Sequence, residues 1–125
     1  MTTRRLLICD DSSFSRRGIE RALPQALDLT VSHTDSGQEA VRACLAGEVD
    51  LLFLDLNMPG LDGFEVLEQL QTQNFSAPIV VITANIQSAP MQRAKILGAR
   101  AVINKPIDEN KLAQLLNYLV KEGSL

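Results

Sequence analysis

Acidic residues directly follow two apolar segments of this sequence. Residues 6–9 are followed by Asp10 and Asp11, and residues 51–54 are followed by Asp55. If the two segments are neighbouring parallel strands, three carboxylates meet at one edge of the sheet. Like charges this close are unfavourable unless a cation or a proton offsets them. The pattern therefore predicts a site for a hard cation, with Mg²⁺ the best match, beside a reactive aspartate.

An aspartate at a strand end also has an ordinary explanation, since it often forms a turn or caps a helix. That explanation would suffice for Asp55 alone. The turn-rich residues 57–63 that follow it, and the Asp10–Asp11 pair, favour the functional interpretation. Ser12 and Ser13 are already placed to cap the next helix, which weakens a capping role for the two acids.

A hydroxyl and an ammonium group follow two later apolar segments. Thr83 ends residues 79–82, and Lys105 follows residues 101–103. Taken singly, threonine is common in strands and an exposed lysine is usually a solvated charge. Their positions at successive strand ends place both at the edge that carries the acids.

Strand and helix patterns alternate along the whole chain. The predicted strands are residues 5–9, 29–33, 51–54, 79–82 and 101–103. Residues 112–119 place leucines at i, i+3, i+4 and i+7, as on one face of a helix, and residues 36–46 have a comparable helical spacing. Such alternation predicts a parallel sheet with helices on both faces.

Residues typical of helix ends agree with these boundaries. Ser36 and Asp62 are each followed three residues later by glutamate, as in a capping box. Asp108 is placed to cap the last helix. Gly47 and Gly98 stand where helices should stop, in a left-handed conformation that other residues resist.

Strand composition predicts the strand order. Residues 6–9, 51–54 and 79–82, in the first, third and fourth predicted strands, are continuously apolar, as expected of central strands, whereas residues 29–33 alternate as an edge strand does. We predict an α/β fold, a doubly wound five-stranded parallel sheet in the order 2-1-3-4-5 with helices on both faces, which is flavodoxin-like. In that order the switch point lies between strands 1 and 3, where such sheets bind ligands.

Composition excludes several classes of protein. The chain has 125 residues, of which 46% are apolar, enough for one domain with its own core. A net charge of −3 argues against nucleic acid or an anionic membrane as a partner. Cys9 and Cys44 are expected to be buried free thiols, and Arg16 and Arg17 solvated charges. No segment approaches the ~20 apolar residues of a membrane helix, so we expect a cytoplasmic protein.

Together, these motifs resemble the receiver domain of response regulators in two-component signalling. The resemblance rests, in chain order, on Asp10-Asp11, Asp55, Met58-Pro59-Gly60-Leu61-Asp62-Gly63, Thr83 and Lys105-Pro106. It covers about residues 5–121, and we expect residues 1–125 to form a single receiver domain. Whether the domain stands alone or belongs to a longer regulator is left open.

The resemblance implies a phosphorylation switch rather than an enzyme. Asp55 would accept a phosphoryl group from the phosphohistidine of a sensor histidine kinase or a phosphotransfer protein, and the acyl phosphate would later be hydrolysed. Asp10 and Asp11 would hold Mg²⁺ together with Asp55 and the backbone carbonyl of Asn57. The output would be a changed surface for a downstream protein or an effector domain, without direct contact to nucleic acid or membrane.

Further site residues also follow from the resemblance. Lys105 would pair with the phosphoryl group, while Thr83 and the backbone N–H of Ala84 would donate hydrogen bonds to it. Asn57 and Asn85 would flank the path of the attacking water and set the phosphoryl lifetime. The resemblance also implies a cis peptide bond between Lys105 and Pro106.

One position departs from the family pattern. Many receivers carry tyrosine or phenylalanine three residues before the lysine, and that ring swings inward on activation. This chain has Val102 there, which cannot make such a movement. We expect Val102 to be core packing, and leave open a coupling route through the fourth helix. Family partners dock on the face from Met91 to Tyr118, which is also a candidate dimer surface.

Three other functions match part of this pattern. A Mg²⁺-dependent phosphatase with an aspartate nucleophile usually has a second aspartate two residues later, where this chain has Asn57. Residues 51–55 resemble a Walker B strand, but the chain has no G-x-x-x-x-G-K-[ST] loop to bind nucleotide phosphates. An interaction module independent of phosphorylation is disfavoured by the complete set of acids, threonine and lysine.

Overall fold

The computed structural model describes residues 3–84 and 87–125, in which strands and helices alternate strictly. The elements are β1 Arg4–Cys9, α1 Ser13–Arg21, β2 Leu29–Thr34, α2 Gly37–Leu45, β3 Leu51–Leu54, α3 Gly63–Thr72, β4 Ile79–Thr83, α4 Ser88–Ile96, β5 Ala101–Asn104 and α5 Glu109–Lys121. Each predicted strand is found to within one residue at either end.

The strands form one parallel sheet in the order β2-β1-β3-β4-β5, as predicted. Cys9 at the end of β1 is opposite Leu54 at the end of β3. The backbone N–H of Asp55 donates to the Cys9 carbonyl at 3.0 Å. The residues that follow β1 and β3 are therefore held side by side at the switch point of the sheet.

Side chains of the central strands alternate between two hydrophobic clusters. On one face, Leu52 and Leu54 pack with buried residues of α2, α3 and α4. On the other, Leu51 and Phe53 pack with buried residues of α1 and α5. Each fully buried side chain of this size contributes about 1.5–3 kcal/mol, so both faces fix the sheet that carries the site.

The helices are not anchored equally to these clusters. Leu112, Leu116 and Leu119 of α5 are buried. In α4, all of which lies in the described part of the chain, Ala94 is the one buried residue. The helix nearest the end of β4 is therefore the more weakly attached to the sheet.

The predicted helix ends are largely confirmed. Asp62 and Glu65 form a complete capping box, and Asp108 caps α5 through two backbone N–H groups. Ser36 caps α2. The Glu39 carboxylate, which would complete the predicted capping box by accepting from the Ser36 backbone N–H, pairs with Arg42 at 2.6 Å instead. Gly47 and Gly98 both have positive φ, as predicted.

The two cysteines, Cys9 and Cys44, are free and buried, as predicted. Burial raises the pKa of each thiol to about 12, so neither is a thiolate at neutral pH. Among the described residues, no helix combines the length and the apolar character needed to cross a bilayer.

Gly63 is expected to be essential to the loop that carries Asp55. A Cβ atom at this position would lie 2.4 Å from the Asp55 carbonyl oxygen and 2.6 Å from the Cα of Leu56. Because both are backbone atoms, Gly63→Ala should lower the free energy of unfolding in urea by about 2 kcal/mol or more.

Gly18→Ala is the matched control within a helix. A Cβ there meets nothing within 4 Å, and alanine should stabilise α1 by up to about 1 kcal/mol. Equal effects of the two substitutions would contradict the close approach at Gly63.

Candidate functional site

Three carboxylates gather at the carboxyl edge of the sheet, where the sequence predicted them. One ligand oxygen from each of Asp10, Asp11 and Asp55 lies within 4.8 Å of the other two. Asp10 is 1% exposed and Asp55 is 6% exposed, while Asp11 is exposed. Two of the three charges are therefore largely removed from water, where repulsion between them is strongest.

Lys105 brings a positive charge to the two buried acids. Its Nζ lies 2.7 Å from Asp10 Oδ2 and 3.5 Å from Asp55 Oδ2. The lysine is positioned by its backbone N–H, which donates to the Thr83 carbonyl at 2.9 Å, and the Lys105–Pro106 peptide is cis, as the resemblance implied. One ammonium facing three carboxylates leaves the cluster formally negative.

The first turn of α1 surrounds Asp10 with donors. The backbone N–H of Ser12 donates to Asp10 Oδ1 at 2.9 Å, and Ser15 Oγ donates to Asp10 Oδ2 at 2.7 Å. Arg16 Nη1 donates to the Asp10 backbone carbonyl at 2.6 Å. Of the two serines predicted to cap the helix, Ser12 is the N-cap and Ser13 is the first helical residue. Asp10 is thus fixed through both its side chain and its backbone.

The prediction that Arg16 is a solvated charge is wrong. Its side chain is half-buried, and its Nε is buried with no hydrogen-bond partner among the described residues. Ser15 was missed as well. In sequence, two adjacent arginines resemble a solvated helix face. Ser15 and Arg16 would have been found by considering that the first turn of α1 lies next to the end of β1.

The two buried acids differ in acidity. Burial acts to raise the pKa of Asp10, but hydrogen bonds from Lys105, Ser12 and Ser15 outweigh it and lower that pKa. Burial likewise raises the pKa of Asp55, where the attraction of Lys105 is opposed by the charge of Asp10 and the net shift is upward. The charge on Asp55 is therefore the less well compensated of the two.

The other predicted site residues lie near the ends of β3 and β4. Thr83 is fully buried at the end of β4, and Ala84 after it is exposed. Asn57 is exposed, and its backbone N–H donates to Asp55 Oδ1 at 3.4 Å. Asn85, the second residue expected to tune the phosphoryl lifetime, lies outside the described residues.

Val102 lies in β5 opposite Val81 and packs, half-buried, against the hydrophobic cluster on the α4 side of the sheet. This contact supports the prediction that its side chain is core packing. In α4 and α5, the side chains of Ile96 and Tyr118 are exposed at 76% and 60%. These two helices therefore carry apolar groups outside the core.

The donor set fits a hard divalent cation. All three side chains offer carboxylate oxygens, which Mg²⁺ and Ca²⁺ prefer, and one or two carboxylates with waters are typical of Mg²⁺. The uncompensated charge of the cluster favours a cation for a second, independent reason. The acidic cluster could therefore bind a metal ion.

The repulsion at this site should be visible in stability. In EDTA at pH 7, Asp55→Asn should raise the free energy of unfolding by on the order of 1 kcal/mol, because it removes a buried charge close to Asp10. The pKa of Asp55 lies above its unfolded value. The charged Asp55 therefore destabilises the folded state above its folded pKa, and this cost disappears below the unfolded pKa. The stabilisation by Asp55→Asn should accordingly vanish toward about pH 3.

Urea unfolding at the two pH values measures this difference. Asp11→Asn is the control, since Asp11 belongs to the same cluster but is exposed, and its effect should be smaller. An Asp55→Asn protein less stable than the wild type at pH 7 would contradict the electrostatic account.

Comparison with known proteins agrees with this geometry. Residues 6–117 match the family model described as the response regulator receiver domain. The chain is 32% identical over 121 residues to the chemotaxis protein CheY of Treponema pallidum, covering 94% of this chain and 83% of that protein. It is 29% identical over 113 residues to the nitrate/nitrite response regulator protein NarL of Escherichia coli, covering 90% of this chain.

The chain spans about half the length of NarL, 52%. Among solved structures, it superposes on the chemotaxis protein CheY4 of Vibrio cholerae with a TM-score of 0.79 at 25% identity, covering 99% of this chain and 100% of that one. The strand order, the acidic cluster at the switch point and these matches lead to one conclusion: the chain belongs to the response regulator receiver domain family.

Proposed function

We propose that this domain is a phosphorylation switch in which Asp55 accepts a phosphoryl group from a phosphohistidine. The observation that carries the proposal is the placement of Asp55, buried within a three-carboxylate cluster with Lys105 Nζ 3.5 Å from its oxygen. The donor is a sensor histidine kinase or a phosphotransfer protein. The proposed unit is residues 1–125 as one receiver domain acting in the cytoplasm.

The Asp55 carboxylate itself is the nucleophile in the proposed reaction. One of its oxygens forms a bond to phosphorus as the nitrogen–phosphorus bond of the phosphohistidine breaks, and that electron pair returns to the imidazole. No general base is needed, because a carboxylate carries no proton to remove. Phosphoryl transfer then depends mainly on positioning and charge stabilisation.

Charge is the main obstacle to this step. Three carboxylates and a phosphoryl dianion bring about −5, against about +3 from Mg²⁺ and Lys105. Asp10, Asp11, Asp55 and the Asn57 backbone carbonyl would hold the Mg²⁺, which, when bound, supplies neutralising charge to the phosphoryl oxygens. Because the acids repel one another without it, Mg²⁺ should bind before any phosphoryl group arrives.

Donors on the neighbouring strands supply the rest of the stabilisation. In the proposal, Lys105 turns from Asp10 to the phosphoryl group, and the Thr83 hydroxyl and the Ala84 backbone N–H donate hydrogen bonds to it. Ala84 is exposed and small, which leaves the phosphorus accessible to water. Asn57 and Asn85 are proposed to flank that water and to set the lifetime of the acyl phosphate.

The output is proposed to be a change in the surface from α4 to α5. Movement of Thr83 toward the phosphoryl group would shift the start of α4, whose one buried residue is Ala94. A helix attached so weakly can exist in two positions of similar free energy. The exposed Ile96 and Tyr118 lie on this surface, which would bind a downstream protein, an effector domain or a second copy of the chain.

Acetyl phosphate tests the phosphoacceptor directly. With Mg²⁺ present, the intact mass of the wild-type protein should increase by one phosphoryl group. Asp55→Asn should abolish the adduct because it removes the nucleophile, and EDTA should abolish it because the charge is no longer offset.

Asp28→Asn is the control for a general loss of acidity, since Asp28 is exposed and lies before β2, at the opposite edge of the sheet. Its adduct should match the wild type. An unmodified wild-type protein, or an undiminished adduct in Asp55→Asn, would reject the phosphoacceptor role and leave an interaction module independent of phosphorylation.

Hydrogen–deuterium exchange of α4 and β5, with and without acetyl phosphate, tests whether Thr83 or Val102 couples the site to the surface. The wild type and Val102→Ala should both show a phosphorylation-dependent change, because Val102 is packing. Thr83→Ala should lose most of it while still gaining the phosphoryl mass, because the hydroxyl that senses the group is gone. Equal losses in the two variants would show that position 102 couples the site to the surface.

A further inference from the structure

We propose that Ser15 is a positioning residue for the metal site, holding the Asp10 carboxylate in the orientation that receives Mg²⁺. This inference rests on the proposed function, because it assigns Asp10 to the metal. It concerns a hydroxyl in the first turn of α1, outside the acids, threonine and lysine that define the site.

The contact is short and directed. Ser15 Oγ lies 2.7 Å from Asp10 Oδ2, and Asp10 is 1% exposed. Hydrogen bonds to a carboxylate are among the stronger ones in proteins. The hydroxyl is not used to cap the helix, since Ser12 Oγ accepts from the Ser15 backbone N–H at 3.1 Å and performs that role.

Two donors from α1 and its N-cap bind different oxygens of the Asp10 carboxylate. The Ser12 N–H binds Oδ1 and the Ser15 hydroxyl binds Oδ2, so both oxygens are held by the same helical turn. Together these bonds fix the plane of the carboxylate. A metal ligand held in this way has little freedom left to lose on binding, and such supporting bonds commonly change metal affinity by 10–100-fold.

In this proposal, Lys105 and Mg²⁺ compete for the oxygen of Asp10 that Ser15 holds. In this structure Oδ2 accepts from both Ser15 Oγ and Lys105 Nζ, each at 2.7 Å. A carboxylate oxygen has about two lone pairs, so these donors fill it. When Lys105 leaves this oxygen, displaced by the incoming Mg²⁺ or on turning to the phosphoryl group, one lone pair would become available to the metal, and Ser15 would remain as the side chain that orients the oxygen.

Magnesium titrations followed by NMR test the assignment. MgCl₂ is added at constant ionic strength, and the amide signals of Asp11 and Asn57 report occupancy in the full chain without phosphate. Ser15→Ala should weaken Mg²⁺ binding by about tenfold, and Ser15→Thr, which keeps the hydroxyl, should restore most of it. Ser13→Ala is the matched control, since Ser13 is exposed in the same turn, and should bind as the wild type does.

A kinetic measurement separates positioning from a general structural effect. In Ser15→Ala, the Mg²⁺ concentration that half-saturates phosphorylation by acetyl phosphate should rise by about tenfold, with little change in the rate at saturating Mg²⁺. An unchanged or tighter Mg²⁺ affinity in Ser15→Ala, or no restoration by Ser15→Thr, would overturn the inference.

Asp10→Asn distinguishes the two proposals. If the wild type binds Mg²⁺ and Asp10→Asn binds it much more weakly, the metal site stands, and an unaffected Ser15→Ala then rejects the role of Ser15 alone. If Asp10→Asn binds Mg²⁺ as well as the wild type does, the metal site of the proposed function itself is rejected, and the role of Ser15 with it.

Discussion

Repulsion between two buried carboxylates is the constraint around which this domain is organised. Asp10 and Asp55 are held at neighbouring strand ends, where the backbone hydrogen bond from Asp55 to Cys9 prevents them from separating. Their charges share one ammonium, from Lys105, at 2.7 and 3.5 Å. The unfavourable arrangement persists because two hydrophobic clusters hold the strands from both faces. Binding of a positive charge at this site is therefore favourable.

The compensation of that repulsion is uneven between the two acids. Donors from the first turn of α1 and from Lys105 surround Asp10, so its pKa falls. Burial raises the pKa of Asp55, where the charge of Asp10 adds to the effect. An anion held by several hydrogen bonds is a stable ligand, whereas a poorly compensated one gains most from a new bond. On the proposed function, this difference suits Asp10 to holding a cation and Asp55 to accepting the phosphoryl group.

Sequence patterns predicted what depends on periodicity and on strand ends, and missed what depends on the orientation of helices. The acids, Thr83 and Lys105 were predictable because parallel strands bring their carboxyl ends to one edge whatever the packing details. Ser15 and Arg16 were not, since their contacts to Asp10 depend on how α1 turns back over β1. The half-formed box at Ser36 has a similar origin, because an arginine one turn along competes for the glutamate.

On the proposed function, with Val102 packed against the hydrophobic cluster, α4 is the element to which a change at Thr83 would pass. Besides the packing of Ala94, α4 is held by side-chain contacts to α3. Arg93 lies 4.2 Å over the Phe64 ring and 3.5 Å from Glu68, and Gln71 Nε2 donates to the Ile96 carbonyl at 3.1 Å. Exposed polar contacts of this kind are each worth little, about 1 kcal/mol or less. On the proposed function, phosphorylation would therefore have to break these weak contacts between α4 and α3 to move α4. Receivers with an aromatic residue at the position of Val102 repack that ring as well.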